Sequence, residues 1–549
     1  MNEQARIAQM LFPHIEKTAQ QLLAENPSRN LKEGAAVTRF APSPTGFLHI
    51  GGVFTALAAE RTAHTTGGKV ILRIEDTDKK RQVEGGTALI KEGLQRFGIE
   101  FDEGAEADGS DKGDYGPYTQ SHRATLYQTF AKDLVEKGLA YPCFCSEETI
   151  SEIRAGQEAA GVTPGYWGEY TRCRDLTADQ VQEKLDAGIP YVIRLRSPGK
   201  PGGRVKVRDV LRGEIEMEEN FLDAVLLKQD GIPTYHFAHV VDDTLMGVTH
   251  VTRGEEWIAS APLHVQIFWL AGIKPPKYAH LCSVMKEENG SKRKLSKRKD
   301  PEADVRFFHQ AGYPAPAVIE YLLTLLNSNF EDWRRQNKTA PCTEFPFQLK
   351  KMGLAGPLFD LQKLDSVSAE VISRMTAEEV YDRALAWAKE NDPDFAALLE
   401  AAPDYTRQIL SIDRGGPKPR KDIGKWDELK QYVAYFFDAL WDKQYDEVTL
   451  DKTLQKQILE QYLAVMDTAD DKDTWFGKMK DLCPALGLSP DVKAYKKDPD
   501  SFKGHVGDVS TCVRVALTGR RNTPDLHAIM ALLGQDTCQT RIRDYMNTL

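Results

Sequence analysis

The spacing of hydrophobic positions changes along the chain and predicts two kinds of architecture. Between residues 37 and 141, short β-branched or aromatic runs alternate with amphipathic segments. The runs Val37–Phe40 and Val70–Ile74 have the composition of strands, whereas Gln82–Phe97 and Arg123–Lys137 place apolar residues on one helical face. Strands that alternate with helices predict a parallel sheet, with ligands at the carboxyl ends of its strands.

After Lys299 the pattern becomes almost wholly helical. An apolar residue recurs every three or four positions in four segments: Ala317–Leu326, Ala369–Glu390, Trp426–Trp441 and Leu450–Met466. Residues 1–34 have a similar amphipathic pattern, which predicts one helix that ends near Asn26 and Pro27. We expect this N-terminal segment to pack against the rest of the fold.

The part of the chain between these regions mixes both patterns. Helical segments follow Pro142 and lead into a β-rich, basic section that continues to about Gln229. Its predicted strands are Tyr191–Arg196, Val205–Val207 and Ile215–Glu218. The parallel sheet is then expected to resume with a strand at Tyr235–Val241 and with the segment DDTLMGVTHVTRGEEW that follows it, before a helix around Ala261–Leu270.

Length and composition limit the class of protein. At 549 residues the chain is expected to form several domains, because single cores stop growing near ~250–300 residues. No apolar run is long enough to cross a membrane, and the N-terminus is a poor signal peptide, so we expect a cytoplasmic protein without a membrane partner. The eight cysteines then suggest reduced thiols or a metal site rather than disulfides.

The net charge of −10 is not typical of a nucleic-acid-binding protein. Binding depends on local charge, however, and three basic patches stand out, at residues 194–212, 292–299 and 414–425. Each patch taken alone has the composition of a solvated surface. The charge therefore neither identifies nor excludes a nucleic-acid partner.

The segment Thr38–Gly52, TRFAPSPTGFLHIGG, carries the first candidate chemistry. Its prolines and Gly46 end a strand and force a turn, so that His49 and Gly51 lie where a helix begins. A helix N-terminus offers free N–H groups and a positive dipole end to phosphate. A lone HIG triplet is more often an ordinary loop. A second segment, Lys294–Arg298 (KLSKR), has by itself the composition of a solvated basic loop.

Together and in this order, the two segments resemble the HIGH and KMSKS signatures of class I aminoacyl-tRNA synthetases. RFAPSPTGFLHIGG, followed by ILRIEDTD at Ile71–Asp78, is similar to bacterial-type glutamyl-tRNA synthetases, and the similarity is close from about Val37 to Phe330. The resemblance implies an α/β, Rossmann-like parallel-sheet catalytic domain with an inserted acceptor-binding domain. An all-helical anticodon-binding region is implied to follow.

The implied domain boundaries follow the changes in pattern. They are an N-terminal helical extension (1–34), the first half of the catalytic domain (35–141), the inserted acceptor-stem-binding domain (142–229), the second half of the catalytic domain (230–280), the KMSKS loop with a connecting helical domain (281–345), and helical anticodon-binding domains (346–549).

The resemblance implies a two-step, ATP-dependent ligase reaction. L-Glutamate is activated to glutamyl-adenylate and then transferred to the 3′-terminal adenosine of tRNA(Glu); whether tRNA(Gln) is also charged stays open. The residues that match catalytic positions are His49, Lys294, Ser296 and Lys297. Gly51, Glu256, Trp257 and Arg298 match further ATP-binding positions. The ATP chemistry implies Mg²⁺, held mainly by phosphates and water.

The implied glutamate site combines two arginines with an acid. Arg39 and Arg253 match positions that bind carboxylates, and Glu75 is placed to take the α-ammonium. Other matching positions are Ala41, Ser43, Tyr235 and His239. The last departs from the asparagine found in a well-known bacterial pattern. Leu295 replaces the more usual methionine or isoleucine of the second signature and is expected to point into apolar packing.

The inserted region contains an incomplete zinc pattern. Relatives that bind zinc here use CxC and a distant CxH, and this chain has Cys143, Cys145 and Cys173 without the histidine. A closed structural site needs four ligands. Asp175 could supply the fourth, or Tyr170, since a shorter relative uses a tyrosine near its third cysteine. The alternative is three reduced cysteines without metal.

Other functions match the sequence less well. Glutaminyl-tRNA synthetases carry a signature resembling PPEPNGYLHIGHA, whereas this chain has APSPTGFLHIGG. A short tRNA-modifying paralogue lacks an anticodon-binding half, whereas this chain continues for over two hundred residues after KLSKR. A non-catalytic tRNA-binding paralogue would be expected to have lost His49, Lys294 or Lys297, and all three are present. The family also implies a monomer.

Overall fold

A computed structural model describes residues 2–78 and 82–549 of the chain. It forms two compact units, one comprising Met1–Phe307 and Ile319–Asp360 and the other comprising Phe308–Val318 and Leu361–Leu549. The first unit is mixed α/β and contains every strand of the described residues. The second is helical.

The strands fall between residues 37 and 294. They are β1 (Val37–Phe40), β2 (Lys69–Leu72), β3 (Glu103–Ala105), β4 (Asp111–Lys112), β5 (Ala140–Cys143), β6 (Val192–Leu195), β7 (Arg204–Asp209), β8 (Gly213–Glu218), β9 (Val225–Leu227), β10 (His250–Gly254), β11 (Lys277–Leu281), β12 (Met285–Glu288) and β13 (Ser291–Lys294).

Of the helices up to residue 336, two precede the strands, and the others are interleaved with the strands or follow them. They are α1 (Glu3–Leu11), α2 (Ala19–Glu25), α3 (Ile50–Thr65), α4 (Gly86–Gln95), α5 (Ala124–Glu136), α6 (Glu147–Ala159), α7 (Ala178–Asp186), α8 (Tyr235–Leu245), α9 (Ala261–Leu270), α10 (Val305–Gln310), α11 (Ala315–Leu326) and α12 (Phe330–Gln336).

The remaining helices build the second unit around a core of its own. They are α13 (Leu361–Arg374), α14 (Ala377–Asn391), α15 (Pro393–Ala401), α16 (Pro403–Ser411), α17 (Glu428–Val433), α18 (Lys452–Val465), α19 (Lys472–Leu486), α20 (Val492–Lys497), α21 (Val506–Thr518), α22 (Leu526–Leu533) and α23 (Gln535–Met546). Their apolar faces meet at fully buried residues such as Ile458, Met479 and Val513.

Parallel pairing organises the catalytic part of the first unit. β1 pairs in parallel with β2, β2 with β3, and β10 with β11. Val37, at the start of β1, exchanges hydrogen bonds with Thr249, which precedes β10. The carboxyl ends of these strands therefore point the same way, and residues that follow them lie along one edge. The expected parallel-sheet architecture and the helical C-terminal region are confirmed.

The inserted region contributes to two sheets. Its antiparallel strands β5, β6 and β9 form a separate three-stranded sheet. The hairpin of β7 and β8 instead extends the sheet that contains β10 and β11. The side chain of Asp209, at the end of β7, thereby accepts the main-chain N–H of His280 at 3.0 Å.

Two expected elements of the first unit are wrong. The segment Tyr235–Val241 is not a strand but the start of helix α8. Nearly all of α8 is buried, so its apolar run lacks the one-sided period that distinguishes a helix from a buried strand. The N-terminal segment is also not one helix: α1 ends at Leu11, before Pro13, and Thr18 begins α2 with a capping box.

Several predicted helices have different ends. Helix α4 begins at Gly86, four residues after the predicted start, because Gly85 caps it in the left-handed conformation. The single helix predicted over Ala369–Glu390 is the end of α13 and most of α14, which Thr376 separates by a capping box with Glu379. The predicted helix Trp426–Trp441 is limited to α17 and a short 3₁₀ turn at Ala434–Phe436.

Within residues 2–78 and 82–549, no helix combines the length and the apolar character that a membrane span requires. All eight cysteines lie in this described part, and each is a free thiol.

Candidate active site

His49 lies at the N-terminus of helix α3, at the end of the loop that follows strand β1. It is the N-cap residue, and its Nδ1 accepts the main-chain N–H of Gly51 at 2.9 Å. A Cβ added at Gly51 would lie 3.1 Å from that Nδ1, so glycine leaves room for the imidazole. Burial, and then the charge of Lys297, lower the pKa of His49 below its ordinary value. A neutral imidazole is therefore presented at neutral pH.

The KLSKR segment follows β13 and is held by the carboxylate of Asp300. Asp300 accepts two hydrogen bonds from Arg293, at 2.6 and 2.8 Å, and one from the main-chain N–H of Ser296 at 2.9 Å. The main-chain N–H of Leu295 donates to Val284, and its side chain is only 2% exposed. The prediction that Leu295 points into apolar packing is confirmed.

The two signature segments meet directly. The ammonium group of Lys297 donates a hydrogen bond to the main-chain carbonyl of Phe47, two residues before His49. Main-chain bonds join the same regions, since Val305 donates to Leu48 at 3.3 Å. Residues about 250 positions apart in sequence thus form one side of a single site.

Two neighbouring cavities lie beside these segments. The larger, about 860 Å³, contains most of the predicted glutamate-binding and two predicted ATP-binding positions: Arg39, Ala41, Ser43, Glu75, Tyr235, Arg253, Glu256 and Trp257. The smaller, about 370 Å³, is lined by His49, Gly51 and Lys294 among others. Thr55, Gly254 and Glu256 line both cavities, which makes them adjoining parts of one cleft.

The larger cavity has a cationic wall supported by buried carboxylates. Arg39 lies on β1, and its Nε donates to Asp243 at 3.4 Å while its Nη1 donates to the Thr252 carbonyl at 3.3 Å. Arg73 donates to Asp243 at 2.6 Å and to Glu75 at 3.2 Å. Burial raises the pKa of Glu75, and the charges of Arg73 and Arg39 partly oppose this shift.

Two aromatic rings, Tyr235 and Trp257, also line the larger cavity. Tyr235 begins helix α8 and stacks on Trp257 with ring centroids 4.1 Å apart. The guanidinium of Arg253 lies over the ring of Tyr278 at 4.6 Å. The cleft therefore combines arginine side chains, several carboxylates that include Glu75, and a flat aromatic surface, an arrangement suited to a small zwitterionic molecule with an extra carboxylate.

His239 was expected at this surface, and the structure places it behind the wall. It is fully buried, its Nε2 lies 2.9 Å from the hydroxyl of Tyr278, and its Nδ1 lies 2.8 Å from Asp243. His239 lies one turn further along the same face of α8 as Tyr235, with ring centroids 6.2 Å apart, and this turn is buried, so Tyr235 lines the cavity and His239 does not.

Three predicted site residues of the KLSKR segment, Ser296, Lys297 and Arg298, lie outside both cavity linings. Ser296 accepts the main-chain N–H of Arg298 at 3.4 Å, which is a local turn contact. Lys297 contacts Phe47, as described above. Of the four cationic and hydroxyl positions in this segment, Lys294 is the one that lines the cleft.

A buried ionic cluster behind the site was missed from the sequence. Asp242 accepts hydrogen bonds from Arg123 at 2.6 Å, from Gln120 at 2.9 Å and from the hydroxyl of Tyr127 at 3.0 Å. Its neighbour Asp243 supports Arg39 and Arg73. The available signal in the sequence was the pair Asp242 and Asp243 directly after an apolar run. Acids in such a run are expected to be buried, and buried carboxylates need cationic or hydrogen-bonding partners.

The three cysteines of the inserted region form one cluster. The Sγ atoms of Cys143, Cys145 and Cys173 all lie within 4.8 Å of one another, and those of Cys145 and Cys173 are 3.7 Å apart. Thiol contacts from Cys145 and Cys173 lower the pKa of Cys143. Four-coordinate zinc with Zn–S distances of about 2.3 Å places its sulfurs about 3.8 Å apart, so the spacing fits that metal.

Neither expected fourth ligand joins this cluster. Asp175 is exposed, and its carboxylate bonds to Arg196 at 2.7 Å. Tyr170 packs edge-on against Trp167. Tyr166 is there instead: its buried hydroxyl oxygen lies 3.4 Å from Cys145 Sγ and accepts the main-chain N–H groups of Arg172 and Cys173. The sequence offered this tyrosine in GYWGEYTRC, but without a signal to choose it over Tyr170.

Comparison with known families assigns both halves of the chain. Residues 35–341 match the catalytic domain of class I tRNA synthetases for E and Q, and residues 379–546 match an anticodon-binding domain.

Curated relatives are similar over nearly the whole length. A glutamate–tRNA ligase of Clostridium perfringens (strain SM101) is 48% identical over 98% of this chain and 99% of its own, and one of Acetivibrio thermocellus is 49% identical with the same coverage. A crystal structure of a glutamate tRNA ligase from Elizabethkingia meningosepticum in complex with its amino acid superposes with a TM-score of 0.74 at 28% identity, covering 94% of this chain and 99% of that one. This chain belongs to the glutamate–tRNA ligase family of class I tRNA synthetases.

Proposed function

We propose that this chain activates L-glutamate with ATP and transfers it to the 3′-terminal adenosine of tRNA(Glu). One observation carries the proposal: the two ATP signature segments meet through Lys297 and Phe47 beside a cleft that holds Arg39, Arg253 and Glu75. The family relatives support the same activity.

The larger cavity would bind the amino acid. Arg39 and Arg253 would bond its two carboxylates, and Glu75 would accept its ammonium group, because each pairing matches opposite charges within a buried site. Tyr235 and Trp257 would close one side. Ser43 and Ala41, just after β1, would contact the ammonium side through hydroxyl and main-chain groups. His239 would act from behind through Tyr278 and Asp243.

Activation would take place where the two cavities meet. An oxygen of the α-carboxylate attacks the α-phosphorus of ATP, the bond to pyrophosphate breaks, and pyrophosphate leaves. His49, the N-terminus of α3 and the amines of Lys294 and Lys297 would stabilise the charge that develops on the phosphates. Lys297 would have to exchange the Phe47 carbonyl for phosphate oxygens. Ser296 and Arg298 lie outside the cleft, so they would contact ATP only if the KLSKR segment moves toward it.

Transfer would follow without a nucleophilic side chain. A ribose hydroxyl of the tRNA 3′ end attacks the acyl carbon, and the bond from that carbon to the bridging oxygen of the adenylate breaks. AMP leaves with this oxygen, which came from the glutamate carboxylate, and the hydroxyl proton is lost to a phosphate oxygen or to water. Residues 142–229 would grip the acceptor end and residues 346–549 the anticodon. Magnesium would be held mainly by phosphates and water, since the described residues offer no cluster of three or more carboxylates for it.

We also propose a structural zinc ion in the inserted region. Cys143, Cys145 and Cys173 would supply three thiolates, and the phenolic oxygen of Tyr166 would complete the set. The metal would join the end of β5 to the loop that contains Tyr166 and Cys173, and so stabilise this part of the fold.

Isotope exchange between ATP and pyrophosphate, with and without tRNA(Glu), tests the activation step. We expect glutamate-dependent exchange that requires tRNA, and no exchange with glutamine. Charging of tRNA(Glu) and tRNA(Gln) with labelled glutamate in parallel then separates a discriminating ligase from one that charges both. Exchange and charging that are both absent with tRNA(Glu) would support a non-catalytic tRNA-binding protein. Light scattering of the same sample tests the expected monomer.

A further inference from the structure

Arg253 makes its protein contacts with uncharged groups. The residue is 4% exposed, its Nε donates to Nε2 of His280 at 3.0 Å, and its Nη1 donates to Nδ1 of His264 at 3.0 Å. Its Nη2 donates to the main-chain carbonyl of Trp257 at 3.5 Å. An arginine side chain has five N–H hydrogens, so one hydrogen remains on each terminal nitrogen.

The proton on His280 is fixed by Asp209. The Nδ1 of His280 lies 2.7 Å from this carboxylate, which accepts hydrogen bonds and has none to donate. Nδ1 therefore carries the hydrogen, and Nε2 presents a lone pair to Arg253. Asp209 is itself held by the main-chain N–H groups of Leu211 and Arg212, at 2.8 and 2.9 Å. His280 is thus a rigid neutral acceptor.

His264 is a second acceptor of the same kind. Because its Nδ1 accepts from Arg253, its hydrogen lies on Nε2, which faces Nδ1 of His236 at 2.9 Å. Burial, followed by the nearby His239 and Arg253, holds the pKa of His264 well below its ordinary value. His264 therefore stays neutral while it bonds the guanidinium.

The neighbouring arginines, unlike Arg253, contact carboxylates. Arg39 faces the carboxylate of Asp243, and Arg73 bonds both Asp243 and Glu75, so acids inside the protein offset their charges. A carboxylate in place of either imidazole would hold Arg253 just as well but would compensate its charge. Neutral acceptors fix the guanidinium plane and leave the whole charge for a ligand.

We propose that His264 and His280 are positioning residues that orient Arg253 without neutralising it, and that they thereby set the affinity of the site for a carboxylate of the amino acid. The inference rests on the proposed function, because it takes glutamate as the ligand of this cavity. It adds two residues, on α9 and β11, whose side chains act through Arg253 rather than on the substrate.

Variants at His264 distinguish the effect of a hydrogen-bond acceptor at this position from the effect of a negative charge there. In His264→Asn the amide oxygen can replace Nδ1 as a neutral acceptor, in His264→Asp the acceptor carries a charge, and in His264→Ala it is lost. We expect the glutamate KM in tRNA-dependent exchange to rise about tenfold in His264→Ala, consistent with one lost hydrogen bond to a charged group, and more in His264→Asp. His264→Asn should stay within about threefold of the parent. The ATP KM should not change.

His250→Asn is the matched control, since His250 is a half-buried histidine at the other end of β10, bonded to Thr249. Equal glutamate KM values in His264→Asn and His264→Asp would overturn the proposal, as would an unchanged KM in His264→Ala. If His264→Ala does not fold, the comparison of the other two variants still decides. A parent enzyme without glutamate-dependent exchange would instead contradict the proposed function.

The same variants show which carboxylate Arg253 holds. Glutamine keeps the α-carboxylate, whereas glutamol keeps only the side-chain carboxylate, and both can be tested as competitive inhibitors. The analogue whose inhibition constant rises in His264→Ala retains the group that Arg253 binds. The proposal fails if neither constant changes while both compounds inhibit the parent.

Discussion

The ammonium group of Lys297 donates a hydrogen bond to the main-chain carbonyl of Phe47, and this contact joins the KLSKR segment to the turn that precedes His49. An exposed lysine that is bonded to a neutral carbonyl can exchange that partner for phosphate at little cost. In the mechanism we propose, this contact would hold a cation near the reacting phosphates before ATP binds.

Lys297→Ala should lower the rate of activation with little effect on tRNA binding. Loss of one group that stabilises transition-state charge costs about 10²–10³ in rate. Exchange assays measure the rate, and filter binding measures tRNA affinity. Lys299→Ala is the control in the same segment, since that side chain is 65% exposed and lies 4.0 Å from Glu288. Equal rates in Lys297→Ala and the parent would remove this lysine from the mechanism.

Arg253→Ala should weaken glutamate capture. The variant loses a buried cation that would bond a carboxylate, an interaction worth about 2–4 kcal/mol, so the glutamate KM is expected to rise roughly 30-fold or more. Arg204→Ala, which removes an exposed arginine paired with Glu216, should behave like the parent. An unchanged glutamate KM and rate would show that Arg253 does not bind the substrate.

Zinc content should depend on the cysteine cluster and on Tyr166. Atomic emission should find about one zinc per chain in the parent, less than half of that in Cys173→Ser, and a reduced amount in Tyr166→Phe after dialysis against a weak chelator. Asp175→Asn should retain the metal, because that carboxylate bonds Arg196 instead. If parent protein produced in zinc-supplemented medium contains no zinc after purification, the proposed site is wrong.

Asp242→Ala should destabilise the first unit strongly. It removes the acceptor of three buried hydrogen bonds and leaves the Arg123 guanidinium without its carboxylate, a change that costs about 3–5 kcal/mol. Hydrogen exchange of the amides in α8 measures this loss locally. Asp179→Ala, which breaks an exposed ion pair with Arg6, should cost no more than about 1 kcal/mol. If the α8 amides are equally protected from exchange in Asp242→Ala and Asp179→Ala, the buried ionic cluster does not stabilise this part of the fold.

Acid should destabilise the fold partly through His239. Burial lowers the pKa of His239 to about 4, whereas an unfolded histidine titrates near about 6.5. The unfolded state therefore binds a proton first, and stability is lost as pH falls from about 6.5 to about 4, by an amount on the order of 3 kcal/mol. The thermal midpoint of the parent should fall more steeply over this range than that of His239→Asn. If the thermal midpoints of the parent and of His239→Asn change equally with pH, His239 does not contribute to the acid destabilisation.

Much of the fold and the outline of the site could be predicted from the sequence. The strand β1, the helix that follows His49, and the change to an all-helical second half are encoded in local patterns of apolar residues, prolines and glycines. The burial of Leu295 was also predictable. By contrast, the buried run at Tyr235–Val241 has no one-sided period, and it was misassigned as a strand.

The sequence by itself determined which chemical groups this protein has and in which order: the two signature segments, the arginines and the acid proposed to bind the amino acid, and three cysteines. Only the tertiary structure decided which groups meet. It placed His239 behind the cavity, brought Tyr166 rather than Asp175 or Tyr170 into contact with the cysteine cluster, and set the imidazoles of His264 and His280 against Arg253. Such contacts join residues far apart in the chain, and their energies depend on burial and distance, which a local pattern does not contain.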